Sequence, residues 1–224
     1  MTTHTVHDLY AAQRSELTDT LRSLTAEQAA TPVPTCPGWS VKDVMAHVSG
    51  LVAEKLAEVP PPLGSDEATA RQVQDRAGMS LAEVCDEWEH NASAFSAVAT
   101  DDSPFIQPFL CDLVVHSHDI QEALSLPIDA TSPATVYAAE RYLGLLQERA
   151  AEQDDVALTV DLTDGHTHEA AAGSTPLTLR ATAFDVLRSV TARRTRSEVA
   201  GLDWSADPSA LLDSGFAQYG ALTD

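Results

Sequence analysis

The chain has 224 residues, of which 44% are hydrophobic, so it can bury a sizeable core and is predicted to fold. Acidic residues outnumber basic ones by 34 to 13, and the resulting net charge of −21 disfavours nucleic acid and anionic membranes as partners. The first residues lack the basic and apolar regions of a signal peptide, and no apolar run is long enough to span a bilayer. The cysteines form no CxxC pair, which favours a reducing, cytoplasmic compartment; they are Cys36, Cys85 and Cys111.

Apolar residues at helical spacing predict a series of helices over the first two thirds of the chain. Ser40 begins the second of them, because Asp43 lies three residues later as in a capping box. Prolines between residues 29 and 38 enforce an extended connection before it, and residues 65–79 are polar and ambiguous. The predicted helices cover residues 6–24, 40–59, 80–95, 108–126 and 133–151.

The pattern changes after residue 154. Residues 156–162 alternate between apolar and polar side chains, and the turn-like residues after them allow a hairpin strand to return. The expected fold class is mainly α: an all-helical domain over residues 1–151, followed by a small α+β domain over residues 152–224. The later elements are strands over 156–162, 166–170 and 175–179, and helices over 183–194 and 205–212.

The segment 112–124 carries the clearest indication of a functional site. On a helix, Asp112, His116 and Asp119 are spaced at i, i+4 and i+7 and therefore lie in one stripe. Apolar residues flank this stripe on both sides, so we expect it to point into a pocket, where such groups must be paired, hydrogen-bonded or metal-bound. His118 projects to nearly the opposite side and is not expected to share a metal with His116. A buried Asp–His hydrogen bond is the alternative.

A metal site needs a further ligand, and His47 is the best candidate because it lies beside the apolar face of another predicted helix. Two imidazoles and one carboxylate suit Zn²⁺, and Ni²⁺ or Fe²⁺ would also fit. Asp119 could orient an imidazole from behind. His47 could equally be a core histidine with a single hydrogen bond. The other histidines have no comparable partners, and His166 and His168, beside a turn, are expected to be exposed.

Motifs of other catalytic classes do not occur in the sequence. It contains no glycine-rich phosphate loop, nucleophile elbow or HExxH motif, and no cysteine has a basic neighbour. The attacking group would then be a metal-bound water or an external thiol activated by the metal. Five of the 13 basic residues lie between Arg180 and Arg196, as a patch for a small anionic substrate or as a solvated helix face.

Four segments carry a family pattern: PTCPGWSVKDVMAH at 34–47, DLVVHSHDIQEAL at 112–124, FDVLRSVTARRTRS at 184–197 and GLDWSADP at 201–208. Together they resemble the mycothiol-dependent maleylpyruvate isomerase family, which is part of the DinB-like metal-binding helical bundles. The resemblance implies a DinB-like four-helix bundle with one zinc ion and a smaller C-terminal domain.

The resemblance also implies roles for individual residues. His47 and His116 fall on the two histidine ligands of the family. Asp112 takes the place of the family's glutamate and is one methylene shorter, so it would bind the metal directly or through a water. An arginine of the C-terminal domain is thought to hold the substrate carboxylates. Arg193 or Arg194 is expected to do so here, and Arg194 is favoured.

The implied activity is that of a zinc-dependent enzyme that activates mycothiol, a low-molecular-weight thiol, against an electrophilic and anionic small molecule. The thiolate would either remain attached, which is S-transfer, or add to a double bond and leave after rotation, which is cis–trans isomerisation. We expect S-transfer ahead of isomerisation. A metal-dependent hydrolase and a non-catalytic metal-binding module are the other classes that stay open.

Overall fold

The computed structural model describes residues 4–60, 62–170 and 172–224, and contacts divide the chain into two compact units, Met1–Ile128 and Asp129–Asp224. The first unit is helical. None of the described helices is long and apolar enough to cross a membrane. The helices of this unit are α1 (Val6–Arg22), α2 (Ala26–Ala29), α3 (Val41–Leu56), α4 (Asp66–Asp75), α5 (Leu81–Val98) and α6 (Ile106–Ala123).

Four long helices of the first unit form the predicted bundle. Helix α1 packs against α5 and α6, and α3 packs against the same two helices. Capping boxes set where three of them begin. At α3 the backbone N–H of Asp43 donates to the Ser40 hydroxyl, and the Ser40 N–H donates to the Asp43 carboxylate. Ser80 and Glu83 repeat this arrangement at α5. Both predicted helix starts are confirmed, and the first fixes the position of His47 on α3.

Helix α4 occupies the segment that was ambiguous in sequence, and it packs tightly on α3. The contact is made at Gly50, where a Cβ atom would lie 2.6 Å from the Cβ of Gln72. Any larger residue at this position would push α4 away from α3. The glycine therefore brings the buried Gln72 side chain next to the helix that carries His47.

The second unit is a four-stranded sheet with helices, in the strand order β2-β1-β3-β4. Strand β1 pairs antiparallel with β2, which confirms the predicted hairpin, and parallel with β3. The mainly α class with a small C-terminal α+β portion is confirmed. The elements are α7 (Pro133–Asp154), β1 (Val156–Leu162), β2 (Thr167–His168), β3 (Thr175–Ala181), α8 (Ala183–Val190), α9 (Arg196–Ala200), β4 (Asp203–Trp204) and α10 (Ser209–Asp213).

The boundary between the compact units follows Ile128, whereas the sequence pattern places it after residue 151. The difference is helix α7, which packs against β1 and α8 and so belongs with the sheet. Its amphipathic pattern predicts a helix but does not specify which elements its apolar face contacts.

Helix α8 ends at Val190, so the predicted extension to Arg194 is wrong. Ala192 adopts a left-handed conformation with φ of 60°. Its N–H donates to the carbonyl of Ser189, and the N–H of Arg193 donates to the carbonyl of Arg188, which together form a Schellman motif. Glycine usually signals this ending, and here alanine takes its place. Arg193 and Arg194 therefore lie in the turn after α8 rather than on the helix.

Candidate metal centre

The three predicted ligands lie together inside the helical bundle. His47 comes from α3, and Asp112 and His116 come from α6. Asp112 Oδ2 lies 3.5 Å from His47 Nε2, and Asp112 Oδ1 lies 3.6 Å from His116 Nε2. Ligand atoms in a tetrahedral zinc site are separated by about 3.3 Å, since each lies 2.0–2.1 Å from the ion. Both histidines are buried, and the Asp112 side chain is 27% exposed.

A chain of hydrogen bonds sets the tautomer of His47. The side-chain nitrogen of Gln72 donates to Glu54 Oε2 at 2.6 Å and to the carbonyl of Leu63 at 3.0 Å. The amide oxygen of Gln72 must therefore be the acceptor, and His47 Nδ1 donates to it at 2.7 Å. The lone pair of His47 Nε2 is left facing Asp112.

Asp119 sets the tautomer of the second imidazole, that of His116. Its carboxylate is fully buried and accepts a hydrogen bond from His116 Nδ1 at 3.0 Å, so the proton lies on Nδ1. It also accepts from the Thr35 hydroxyl at 2.9 Å and from the Cys36 thiol at 3.5 Å. The contact expected between Asp119 and an imidazole is present, and the lone pair of His116 Nε2 faces Asp112.

One aromatic and one sulfur-containing side chain, both from the loop before α3, lie next to the imidazole rings. The ring of Trp39 lies 5.4 Å from the ring of His47 and 6.4 Å from that of His116, measured between centroids. The Cys36 sulfur lies 3.9 Å from His116 Nδ1. This contact could not be predicted from the sequence, because the two residues are 80 positions apart.

The local charge favours a cation at this position. Burial lowers the pKa of His47, but the charge and hydrogen bond of Asp112, the hydrogen bond of Gln72 and the charge of Glu54 together outweigh burial and raise the pKa. The same negative potential that attracts a proton to Nε2 attracts a metal ion there.

Helix α4 is held in place by a second polar network. The guanidinium of Arg76 donates two hydrogen bonds to the Glu87 carboxylate on α5, at 2.5 and 2.9 Å. Its third contact is to the backbone carbonyl of Gln72 at 3.0 Å, and the Ser49 hydroxyl also donates to Glu87. This network ties α4 to α3 and α5, and sequence reasoning missed it because residues 65–79 show no periodic pattern.

The remaining candidates are not part of this group of ligands. His118 is buried, and among the described residues it belongs to none of the groups whose potential ligand atoms converge. Arg193 and Arg194 are part of the second unit. Arg193 donates to the carbonyl of Thr191 at 2.7 Å, and the Arg194 guanidinium lies 5.7 Å from the ring centroid of Phe184.

The chain was also compared with known protein families and structures. Residues 10–104 match the family model described as the mycothiol maleylpyruvate isomerase N-terminal domain. The resemblance to the mycothiol-dependent maleylpyruvate isomerase family is confirmed. The matched range includes His47 and ends before α6 begins. No curated protein matches this chain.

Two solved structures share the fold. A crystal structure of a histidine-to-alanine mutant of the mycothiol-dependent maleylpyruvate isomerase matches with a TM-score of 0.60 and 12% identity. A second crystal structure of the mycothiol-dependent maleylpyruvate isomerase matches with a TM-score of 0.55 and 14% identity. Each match covers 92% of this chain and 97% of the other chain. At these identities the matches establish the fold alone.

Proposed function

We propose that this chain is a mycothiol-dependent metalloenzyme whose metal ligands are His47, Asp112 and His116. One observation carries the proposal: both imidazoles direct Nε2 towards a single carboxylate, while Gln72 and Asp119 hold the protons on the two Nδ1 atoms. This arrangement is typical of histidine ligands, whose second nitrogen is oriented by an acceptor behind it. Two imidazoles and a carboxylate form a donor set that zinc accepts.

The three side chains determine what the site can do. Asp112 contributes one negative charge and the neutral imidazoles contribute none, so a divalent ion would keep one positive charge. A zinc ion bound here would lower the pKa of a coordinated thiol, so that the thiolate exists at neutral pH. Three protein ligands also leave a coordination position open for the thiol, as in catalytic rather than structural zinc sites.

For the reaction itself, we propose thiol-dependent cis–trans isomerisation ahead of S-transfer. The family model and both structural relatives carry the name of an isomerase, which supports this order. The thiolate sulfur adds to an activated double bond, the resulting single bond rotates, and elimination of the thiol gives the trans product. The thiol is regenerated in each turnover, whereas S-transfer consumes one thiol per product.

An anionic substrate requires a local positive charge, because the protein as a whole carries a charge of −21. We propose that Arg194 or Arg193 holds its carboxylate, since a guanidinium binds a carboxylate through two parallel hydrogen bonds and an ammonium does not. Substitution of the functional arginine by lysine should lower kcat/KM while metal content and the melting temperature stay unchanged. Steady-state kinetics of both single variants test this. A kcat/KM equal to that of the wild type in both variants would remove the arginines from the proposal.

The proposed location is the cytoplasm, where a low-molecular-weight thiol is available. The described residues, which include all three cysteines, contain no disulfide, and this is compatible with a reducing compartment.

The decisive experiment measures metal content and then turnover of maleylpyruvate with and without mycothiol. Isomerisation that requires both metal and mycothiol, with no net loss of thiol, would support the proposal. Consumption of thiol would favour S-transfer, and thiol-independent hydrolysis would favour zinc-bound water as the nucleophile. Bound metal without turnover of maleylpyruvate or of other electrophilic acids would overturn the proposal in favour of a binding module.

A further inference from the structure

The second unit contains another group of two histidines and one carboxylate. His168 lies on β2, His166 lies just before that strand, and Glu140 lies on α7. Glu140 Oε1 is 3.5 Å from His166 Nε2 and 3.6 Å from His168 Nε2. The two imidazole centroids are 4.5 Å apart. The sequence-based statement that these histidines have no comparable partners is therefore wrong, because Glu140 is more than twenty residues away along the chain.

The fold holds this group together through the backbone of the hairpin. Gln147 lies two turns after Glu140 on the same face of α7. Its side-chain nitrogen donates to the carbonyl of Leu158 at 2.8 Å, to that of His168 at 3.1 Å and to that of Glu169 at 3.2 Å. One side chain of α7 thus fixes both β1 and β2, so the helix position of Glu140 and the strand position of His168 are set independently of any contact between them.

The nitrogen of His168 that faces Glu140 is shielded from solvent. Within the described part of the chain, this Nε2 atom makes no hydrogen bond, and its distance of 3.6 Å to Glu140 is too long for one. A buried polar atom without a partner is costly. Burial and the neighbouring His166 outweigh the charge of Glu140 and lower the pKa of His168.

We propose that Glu140, His166 and His168 bind a divalent transition-metal ion, with Zn²⁺ as the first candidate. The separations of 3.5 and 3.6 Å are close to the value of about 3.3 Å between ligands of a tetrahedral zinc ion. Imidazole nitrogens suit Zn²⁺, Ni²⁺ or Cu²⁺, whereas Mg²⁺ and Ca²⁺ prefer an all-oxygen site. The ion would satisfy the shielded nitrogen and clamp the β1–β2 hairpin to α7.

This site is independent of the proposed function and differs from the candidate centre in the bundle. The His166 side chain is 71% exposed, so solvent reaches the site directly. We expect weaker binding and faster exchange of the ion than in the buried centre.

The test is titration of the full chain, without an affinity tag, with Zn²⁺ alone. Calorimetry of the wild type should show a weaker binding event in addition to any tight one. His166→Ala and Glu140→Gln should each remove the weaker event, and neither substitution empties a fully buried position. His90→Ala, which removes an exposed histidine of α5, is the matched control and should leave binding unchanged.

Repeating the titration in a His47→Ala/His116→Ala background separates this inference from the proposed function. There the weaker event should remain and should disappear on addition of His166→Ala, whatever the role of the bundle site. Imidazole ¹⁵N spectra supply a second measurement, in which zinc should shift the Nε2 resonance of His168. Zinc uptake that is the same in wild type, His166→Ala and Glu140→Gln would overturn the proposal.

Discussion

Two regions of this protein hold the same set of side chains, two histidines and one carboxylate, at nearly the same separations. In the bundle, His47 and His116 are buried, and Gln72 and Asp119 stand behind them as hydrogen-bond acceptors. In the second unit, His166 is largely exposed, and Gln147 donates a hydrogen bond to the backbone of His168. The ligand types alone therefore do not distinguish the proposed catalytic centre from the proposed surface site. Burial and the acceptors behind the imidazoles supply the difference.

The largest expected effect is the loss of tight metal binding in the bundle. His47→Ala and His116→Ala should each abolish it, because each removes one of three ligands. His118→Ala should leave the affinity within a few-fold, since this side chain projects away from the stripe. Metal analysis after dialysis measures this, and equal loss of metal in all three variants would show that the assignment of helix faces is wrong.

The carboxylates of the two regions provide a second comparison. If Asp112 binds the metal directly, Asp112→Asn should weaken binding by well over the roughly 10–100-fold typical of residues behind the ligands. Glu140→Gln should leave this tight binding unchanged because Glu140 belongs to the other group. Competition with a chelator gives both affinities. A loss of less than 10-fold in Asp112→Asn would indicate a water between the carboxylate and the metal.

The acceptors behind the imidazoles should have smaller effects. Gln72→Leu and Asp119→Asn each remove the acceptor that holds a proton on Nδ1, so metal affinity should fall by about 10–100-fold. Gly50→Ala should resemble Gln72→Leu, because the added methyl displaces Gln72. Gly144→Ala is the control, since a Cβ atom there meets no atom within 4 Å. An unchanged metal affinity in both Gln72→Leu and Asp119→Asn would contradict the proposal that acceptors behind the imidazoles distinguish the bundle site from the second site.

The smallest expected effect is on the pH dependence of stability. Burial would raise the pKa of Glu87, but hydrogen bonds from Arg76 and Ser49 outweigh it and hold the pKa below the ordinary 4.5. A lowered pKa in the folded state stabilises the protein above pH 4.5, and this contribution is lost as the pH falls through the folded-state pKa.

Urea unfolding of the metal-free protein at several pH values measures this contribution. Glu87→Gln should be less stable than wild type at pH 7, and the difference should shrink towards pH 4. Glu16→Gln, at an exposed position of α1, should match the wild type throughout. A difference that stays constant with pH would show that Glu87 contributes by packing rather than by charge.

Features that depend on neighbours within one or two helical turns could be predicted from the sequence. Capping boxes at Ser40 and Ser80 set two helix starts, and the spacing of Asp112, His116 and Asp119 put three polar groups on one face of α6. Hydrophobic periodicity also determined the mainly α class and the hairpin, because side-chain direction repeats with the backbone geometry of each element.

Only the tertiary structure decided which distant residues meet. It brought Gln72 to His47 through the close approach of α4 at Gly50, and it brought Cys36 to the imidazole of His116. It also assigned α7 to the sheet, which placed Glu140 beside His166 and His168. These contacts depend on the packing of whole helices and strands, and periodicity along one element carries no information about the element it packs against.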